Sequence, residues 1–281
     1  MSHMILAVLA GLVQGVVEWL PVSSKTMITL IFVAGGLSVG TAYVMGLLAN
    51  FGSFFAALWF FRKDILMAIS GLRHPFADAE DARTLRYLFL ATLATGVIGV
   101  PIYAVVKSAF TATNGAVAMV VIGVLLLATS GVNFWRERLA RENGKAGDGG
   151  TATGVPGTGV SLLVGACQGL AALPGVSRSA ITVTPLLLLG SSVARALRLS
   201  FLLDVLGLLG AGVVPLVVGS SGLHSVASVG WAPVGLMVVV AGVTSFFTIS
   251  GVLQLASRLR GSAVTLVIGV LTIVAALAVP R

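Results

Sequence analysis

The chain has 281 residues, 57% hydrophobic and 9% charged, with a mean hydropathy of +1.08 and a formal net charge of +8. Soluble domains carry about 25% charged residues, so the composition excludes one and describes an integral membrane protein. Apolar runs of helical length exclude a β-barrel, the basic residues sit in short loops as in the positive-inside pattern rather than on a nucleic-acid surface, and the single Cys167 excludes a disulfide framework or a zinc site.

In chain order, the first apolar region, residues 4–38, is interrupted by QGVVEWLPVSSKTMIT, Gln14 to Thr29. It lacks a basic leader and a clear cleavage site, so no signal peptide is expected. Three spans follow at 41–61, 86–107 and 115–135, with a polar loop at 73–86 between the first two. Residues 136–159 read as a linker whose second half is rich in Gly, Thr and Pro. A second interrupted region, 160–192, contains QGLAALPGVSRSAIT, Gln168 to Thr182, and spans at 199–219, 232–256 and 262–280 complete the chain. The loops near 108–114 and 220–231 are almost uncharged, and placing every basic cluster in the cytoplasm traces one path through all six spans. Trp19, Trp59, Trp135 and Trp231 fall near predicted ends and are expected to anchor at the interface.

The two interrupted regions share Gln-Gly, Leu-Pro, Val-Ser, a cation beside hydroxyls and Ile-Thr, in that order and with one-residue shifts. Three crossings separate them, and an odd number reverses orientation. The expected architecture is therefore a single all-α membrane domain over 1–281, with six transmembrane helices and two re-entrant helix–loop–helix segments in an inverted 3+3 repeat. Repeat 1 covers about 4–135, the linker about 136–159 and repeat 2 about 160–280.

Of the nine acids, only Glu18 and Asp204 lie inside apolar segments; of the cations, only Lys25 and Arg178 lie in the breaks. A charge at membrane depth costs about 2.5–3.5 kcal/mol on the insertion scale, so such residues face a cavity and pair. Glu18–Lys25 and Asp204–Arg178 are the pairs suggested by position. Around the cations stand Ser23, Ser24, Thr26, Ser177, Ser179 and Thr182. Hydroxyls, Arg and Lys at helix starts make an anion site, and the planar fork of Arg suits phosphate. A nearby carboxylate would hold a divalent metal through phosphate or act as a base. The ligand is then a lipid phosphate or a transported anion.

EWLPVSS, Glu18 to Ser24, and PGVSRSAIT, Pro174 to Thr182, resemble the two signature motifs of the undecaprenyl-pyrophosphate phosphatase family, and the resemblance extends through Asn50–Ile65 and Leu199–Gly212. It implies a plasma-membrane, multi-pass enzyme that hydrolyses polyprenyl diphosphate to the monophosphate and inorganic phosphate, recycling the lipid carrier of cell-envelope glycans. A polyprenyl-phosphate flippase is the alternative. The implied catalytic residues are Glu18, Ser24 and Arg178, with Glu18 linked to a divalent cation, Mg²⁺ or Ca²⁺. Ser24 would attack, or would orient a water that Glu18 activates. Ser23, Lys25, Thr26, Ser177, Ser179 and Thr182 are the expected phosphate ligands. The implied partners are the lipid and the membrane, with no nucleic acid and a homodimer left open. Gln14 and Met27 stand where the family pattern has Glu and His, and Asp204 is the candidate to restore the second carboxylate.

Overall fold

Hydropathy and helix length decide the architecture. The computed structural model describes residues 2–20, 22–112, 115–145, 154–218, 221–256 and isolated positions between 262 and 274. All regular elements among these residues are helical. Five segments are long and apolar enough to cross a bilayer: Val39–Phe60, Glu80–Phe110, Val117–Leu139, Ala194–Val217 and Trp231–Gly251. They match the first five expected spans. The sixth, 262–280, lies almost wholly outside the described residues.

The first crossing is built from α3 (Val39–Leu48) and α4 (Asn50–Phe60), joined at Ala49. Helix α5 (Arg62–Ser70) leads to α6 (Glu80–Ala112), and α7 (Gly115–Lys145) follows. The second half contains α10 (Val193–Val217), the short α11 (Ser221–Val229) and α12 (Trp231–Ala256). Sequence polarity underestimates several helices. Residues 80–86, expected as loop, form the first turns of α6, and 136–145 continue α7 beyond the expected end at 135. Charged residues with good helix propensity extend these helices past the apolar stretch. The expected loop at 220–231 likewise holds α11.

Both interrupted regions fold as pairs of short helices. The first is α1 (His3–Val17) and α2 (Ser24–Ala34); the second is α8 (Thr158–Leu170) and α9 (Arg178–Leu188). At about 1.5 Å per residue none of the four reaches across a hydrocarbon core of about 30 Å. The two pairs correspond position by position. Helices α2 and α9 have equal length, 11 residues. Each ends in a Schellman turn with glycine at positive φ, Gly36 at 94° and Gly190 at 83°. In the first the Leu37 N–H donates to Phe32 O; in the second the Ser191 N–H donates to Leu186 O, both at 3.0 Å. Ser38 and Ser192 then cap the next span by accepting from the N–H groups of Thr41 and Arg195.

Each pair is held by helices of the other half. Gly11 and Gly15 lay α1 on Met237, Val240 and Thr244 of α12, whereas Gly165 and Gly169 lay α8 on Ala91 and Ile98 of α6. Small residues spaced by four let helix backbones meet in lipid. Thr248 Oγ1 donates to Gly15 O at 2.7 Å and Thr95 Oγ1 to Gly165 O at 3.0 Å, one bond across each contact. Large residues such as Leu93, Val97, Val105, Val121, Val243 and Phe247 are exposed on the outward faces of α6, α7 and α12, as lipid contact requires.

The packing gives a direct test. A Cβ at Gly165 would overlap the Ala91 backbone, while at Gly131, exposed on α7, it would meet nothing within 4 Å. Gly165→Val should abolish a monodisperse size-exclusion peak in detergent, while Gly131→Ala should keep or slightly raise the melting temperature.

Candidate active site

Four helix ends meet at one place. The C-terminal ends of α1 and α8, capped by Glu18 and Ala171, face the N-terminal ends of α2 and α9, which begin after Ser23 and Ser177. Neither N-cap serine uses its side chain to cap its helix. Two partial positive charges from helix N-termini are therefore directed at one cavity. That cavity has a volume of about 170 Å³ and is lined at its polar end by Glu18, Ser23, Ser24, Lys25, Asn50, Gln168, Ser177, Arg178 and Ser179. Its other walls are apolar, from Gly96, Gly99 and Val100 of α6 and Leu206, Gly210 and Val214 of α10.

Of the two pairs suggested by position, Asp204–Arg178 forms and Glu18–Lys25 does not. Arg178 Nη2 makes an ion pair with Glu18 Oε1, and its Nε lies 3.9 Å from Asp204 Oδ1. One guanidinium thus serves both buried carboxylates. Lys25 is not the partner of Glu18. Its ammonium donates to the carbonyl of Ala171 and, at 3.1 Å, to that of Val176, and so braces the break before Ser177. A cation at the C-terminal end of α8 also meets the negative end of that helix dipole.

Glu18 is tightly held. Its Oε2 accepts from Ser24 Oγ at 2.5 Å and from Gln14 Nε2 at 2.7 Å. Gln14 Nε2 also lies 3.2 Å from Ser53 Oγ and 3.4 Å from Asn50 Oδ1, and Ser53 meets Ser245 of α12 at 2.9 Å. The carboxylate is thereby fixed by three elements and aimed at the serine hydroxyl.

The structure brings most of the expected residues together. Glu18, Ser23, Ser24, Lys25, Ser177, Arg178 and Ser179 all line the cavity. Thr26 and Thr182 do not. Thr26 Oγ1 accepts from Gly175 N–H at 2.6 Å and contacts Ser23 Oγ at 2.8 Å, tying the two breaks together. Thr182, one turn into α9, donates to Arg178 O and meets Ser200 Oγ at 2.5 Å. These hydroxyls are consumed by the scaffold. Asp204, 2% exposed, sits behind Arg178 and not on the cavity wall. Trp19, expected at the interface, is fully buried against Phe201 with ring centroids 6.0 Å apart, whereas Trp59, Trp135 and Trp231 are exposed as expected. The break carries Trp19 inward because Glu18 must reach Arg178. His74 and His224 lie outside the cavity lining: the first pairs with Asp81 at 3.1 Å, and the second is on α11.

Sequence reasoning passed over Asn50 and Gln168 as site residues. The Gln-Gly dipeptide common to both motifs was the available signal for Gln168. Tyr43 was also missed; its OH donates to Ala172 O at 2.5 Å and braces the second break.

Among the described residues no group of three His, Cys, Asp or Glu side chains stands ready to hold a divalent cation. The acceptors are all hard oxygens, and Asp204 Oδ1 and Gln168 Oε1 are buried without hydrogen-bond partners. That chemistry fits Mg²⁺ or Ca²⁺ held largely by phosphate oxygens and water, with one or two carboxylates from the protein.

The fold and this cavity define a polytopic membrane protein with a buried anion site at the meeting of four helix ends. Residues 7–277 match the profile of the family described as "Bacitracin resistance protein BacA", and the chain belongs to that family. Curated relatives named "Undecaprenyl-diphosphatase" include one from Saccharolobus solfataricus, 33% identical over 98% of this chain and 96% of its own. One from Haloarcula marismortui is 33% identical over 99% of both chains, and one from Saccharolobus islandicus is 36% identical over 91% and 89%.

Among the described residues, Arg178 is the cation within 4.0 Å of either buried carboxylate. Removing one partner of a buried pair costs about 3–5 kcal/mol. Arg178→Met should therefore lower the melting temperature in detergent clearly, and adding Asp204→Asn should restore part of the loss. An unchanged melting temperature in the single variant would contradict this account.

Proposed function

We propose that the chain is a membrane phosphatase that hydrolyses undecaprenyl or a related polyprenyl diphosphate to the monophosphate and inorganic phosphate. Family membership and the names of its relatives support the substrate. The observation that carries the chemistry is the 2.5 Å contact between Ser24 Oγ and Glu18 Oε2 beside Arg178. A hydroxyl this close to a fixed carboxylate is an activated nucleophile.

In this reading the diphosphate enters between the N-termini of α2 and α9. Ser24 Oγ attacks the terminal phosphorus while Glu18 takes its proton. The bond from that phosphorus to the bridging oxygen breaks, and Glu18 passes the proton to the departing polyprenyl monophosphate. Water then cleaves the serine phosphoester; Glu18 accepts the water proton and returns one to Ser24. Arg178 and the helix N-termini balance charge on the phosphoryl oxygens throughout, the electrostatic work that dominates phosphoryl transfer. Ser23, Ser177 and Ser179 supply further hydroxyl donors, and Lys25 keeps the second break in place. Mg²⁺ or Ca²⁺, when bound by Glu18 and the phosphates, would add positive charge at the same oxygens. The isoprenoid follows the apolar wall between α6 and α10, where exposed Gly96 and Leu206 leave the cavity open toward lipid.

The same reading takes α1–α2 and α8–α9 as re-entrant segments of an inverted 3+3 repeat in the plasma membrane, with a sixth span at 262–280. Its support is the matched helix lengths, turns and caps, and the three crossings between the pairs. Irregular backbone at membrane depth is tolerated where it lines a polar cavity, and broken helices meeting at mid-membrane are common in inverted repeats.

Purified protein should release phosphate from farnesyl diphosphate and lose that activity with EDTA. Glu18→Ala, Ser24→Ala and Arg178→Ala should each reduce the rate by at least about a hundredfold. Wild-type protein that binds the lipid yet releases no phosphate with any divalent metal would overturn the proposal.

A further inference from the structure

Gln14 and Gln168 occupy matching positions, in the last turns of α1 and α8, but they live in different surroundings. The Gln14 amide nitrogen is engaged, contacting Glu18, Asn50 and Ser53, although its Oε1 is also buried without a hydrogen-bond partner. At the same offset that relates Gln14 to Gln168, the counterparts of those three partners are Ala172, Asp204 and Gly207. Two of the three have lost every polar side-chain atom. Gln168 is left 3% exposed, on the cavity wall, with its Oε1 lacking any hydrogen-bond partner. Arg178 Nη1, in the same corner, is also buried without a partner. Leaving a buried polar group unsatisfied is unfavourable by about 1–3 kcal/mol, so a corner with two of them is built for something that arrives.

Gly207 keeps that corner open. A Cβ at this position would overlap Gln168 Nε2 and fall 3.3 Å from Arg178 Nη1. In the first half the matching residue, Ser53, fills this space and ties down its glutamine.

We propose that Gln168 is a further substrate-binding residue, whose amide contacts the phosphate group beside Arg178, and that Gly207 is the positioning residue that frees it to do so. A primary amide offers two donors and an acceptor oxygen, and so meets both an ionised oxygen and a hydroxyl of one phosphate. This deepens the reading of the cavity as a phosphate site and rests on it. The two glutamines have divided their labour: Gln14 orients the carboxylate, and Gln168 holds the ligand.

The test compares wild type, Gln168→Leu, Gln168→Ala, Gly207→Ser and Gln168→Ala/Gly207→Ser in detergent. It measures farnesyl diphosphate and inorganic phosphate binding by calorimetry and phosphate release as separate KM and kcat values. Gln168→Leu, which keeps the size of the side chain, should weaken binding of both probes and raise KM about tenfold or more, while the melting temperature stays within a few degrees. Gly207→Ser should weaken binding similarly, and the double variant should be no worse than Gln168→Ala alone. If Gln168→Leu misfolds, Gln168→Glu serves in its place: a carboxylate against phosphate should cut affinity further than any neutral change. Wild-type affinity and KM in Gln168→Leu, or additive losses in the double variant, would overturn the assignment of these two residues. Absence of binding by the wild type to either probe would instead overturn the phosphate-site reading beneath it.

Discussion

A single guanidinium shared by two buried carboxylates is the constraint that the remaining structure satisfies. Glu18 belongs to the first break, Arg178 to the second and Asp204 to a long span. None of the three would be stable alone in hydrocarbon, so all three elements must converge. Convergence comes with helices that stop short, because helix ends leave backbone N–H groups free beside the charged side chains. It also requires close approach of the flanking helices, which explains the four glycines that seat α1 and α8 on their neighbours. The ion pair, the breaks and the small residues are parts of one solution.

The two helix pairs share a scaffold but divide its chemistry. Each ends in the same turn, and each sends an uncapped N-terminus toward the cavity. The first pair contributes the carboxylate and the hydroxyl bonded to it; the second contributes the cation. A symmetric arrangement would have placed carboxylate against carboxylate or guanidinium against guanidinium. Divergence at a few positions, such as Glu18 against Ala172, Asn50 against Asp204 and Ser53 against Gly207, turns a twofold scaffold into a one-sided site.

Much of this was legible in the residues. Apolar runs located five spans to within a few residues, and the rarity of charge at depth singled out Glu18, Lys25, Arg178 and Asp204, which gather in one region. What escaped was pairing. Position suggested that Glu18 would meet Lys25, but chain proximity does not say which way a lysine turns, and Lys25 found two carbonyls on the other break. Hydroxyl count suggested that Thr26 and Thr182 would face the ligand; their backbone register instead made them braces. Helix extensions over 80–86 and 136–145 were hidden because hydropathy registers the membrane and not the helix. Trp19 looked like an anchor by composition and is a core residue because the break turns inward.

The seating of α1 on α12 has a consequence for how the chain is made. Helix α1 leaves the ribosome well before the helix it packs against, the last of the long helices among the described elements. At about 5–20 residues per second, more than two hundred residues must be synthesised before the two can meet, a delay on the order of ten seconds or more. For most of that interval Glu18 is without Arg178, and throughout it Gly11 and Gly15 are without their partners. A short, broken, charged segment therefore has to be sheltered beside the insertion machinery, or held at the bilayer surface, until the second half arrives to receive it. Assembly waits for α12, and a chain cut before it would strand its first helix pair with no place to go.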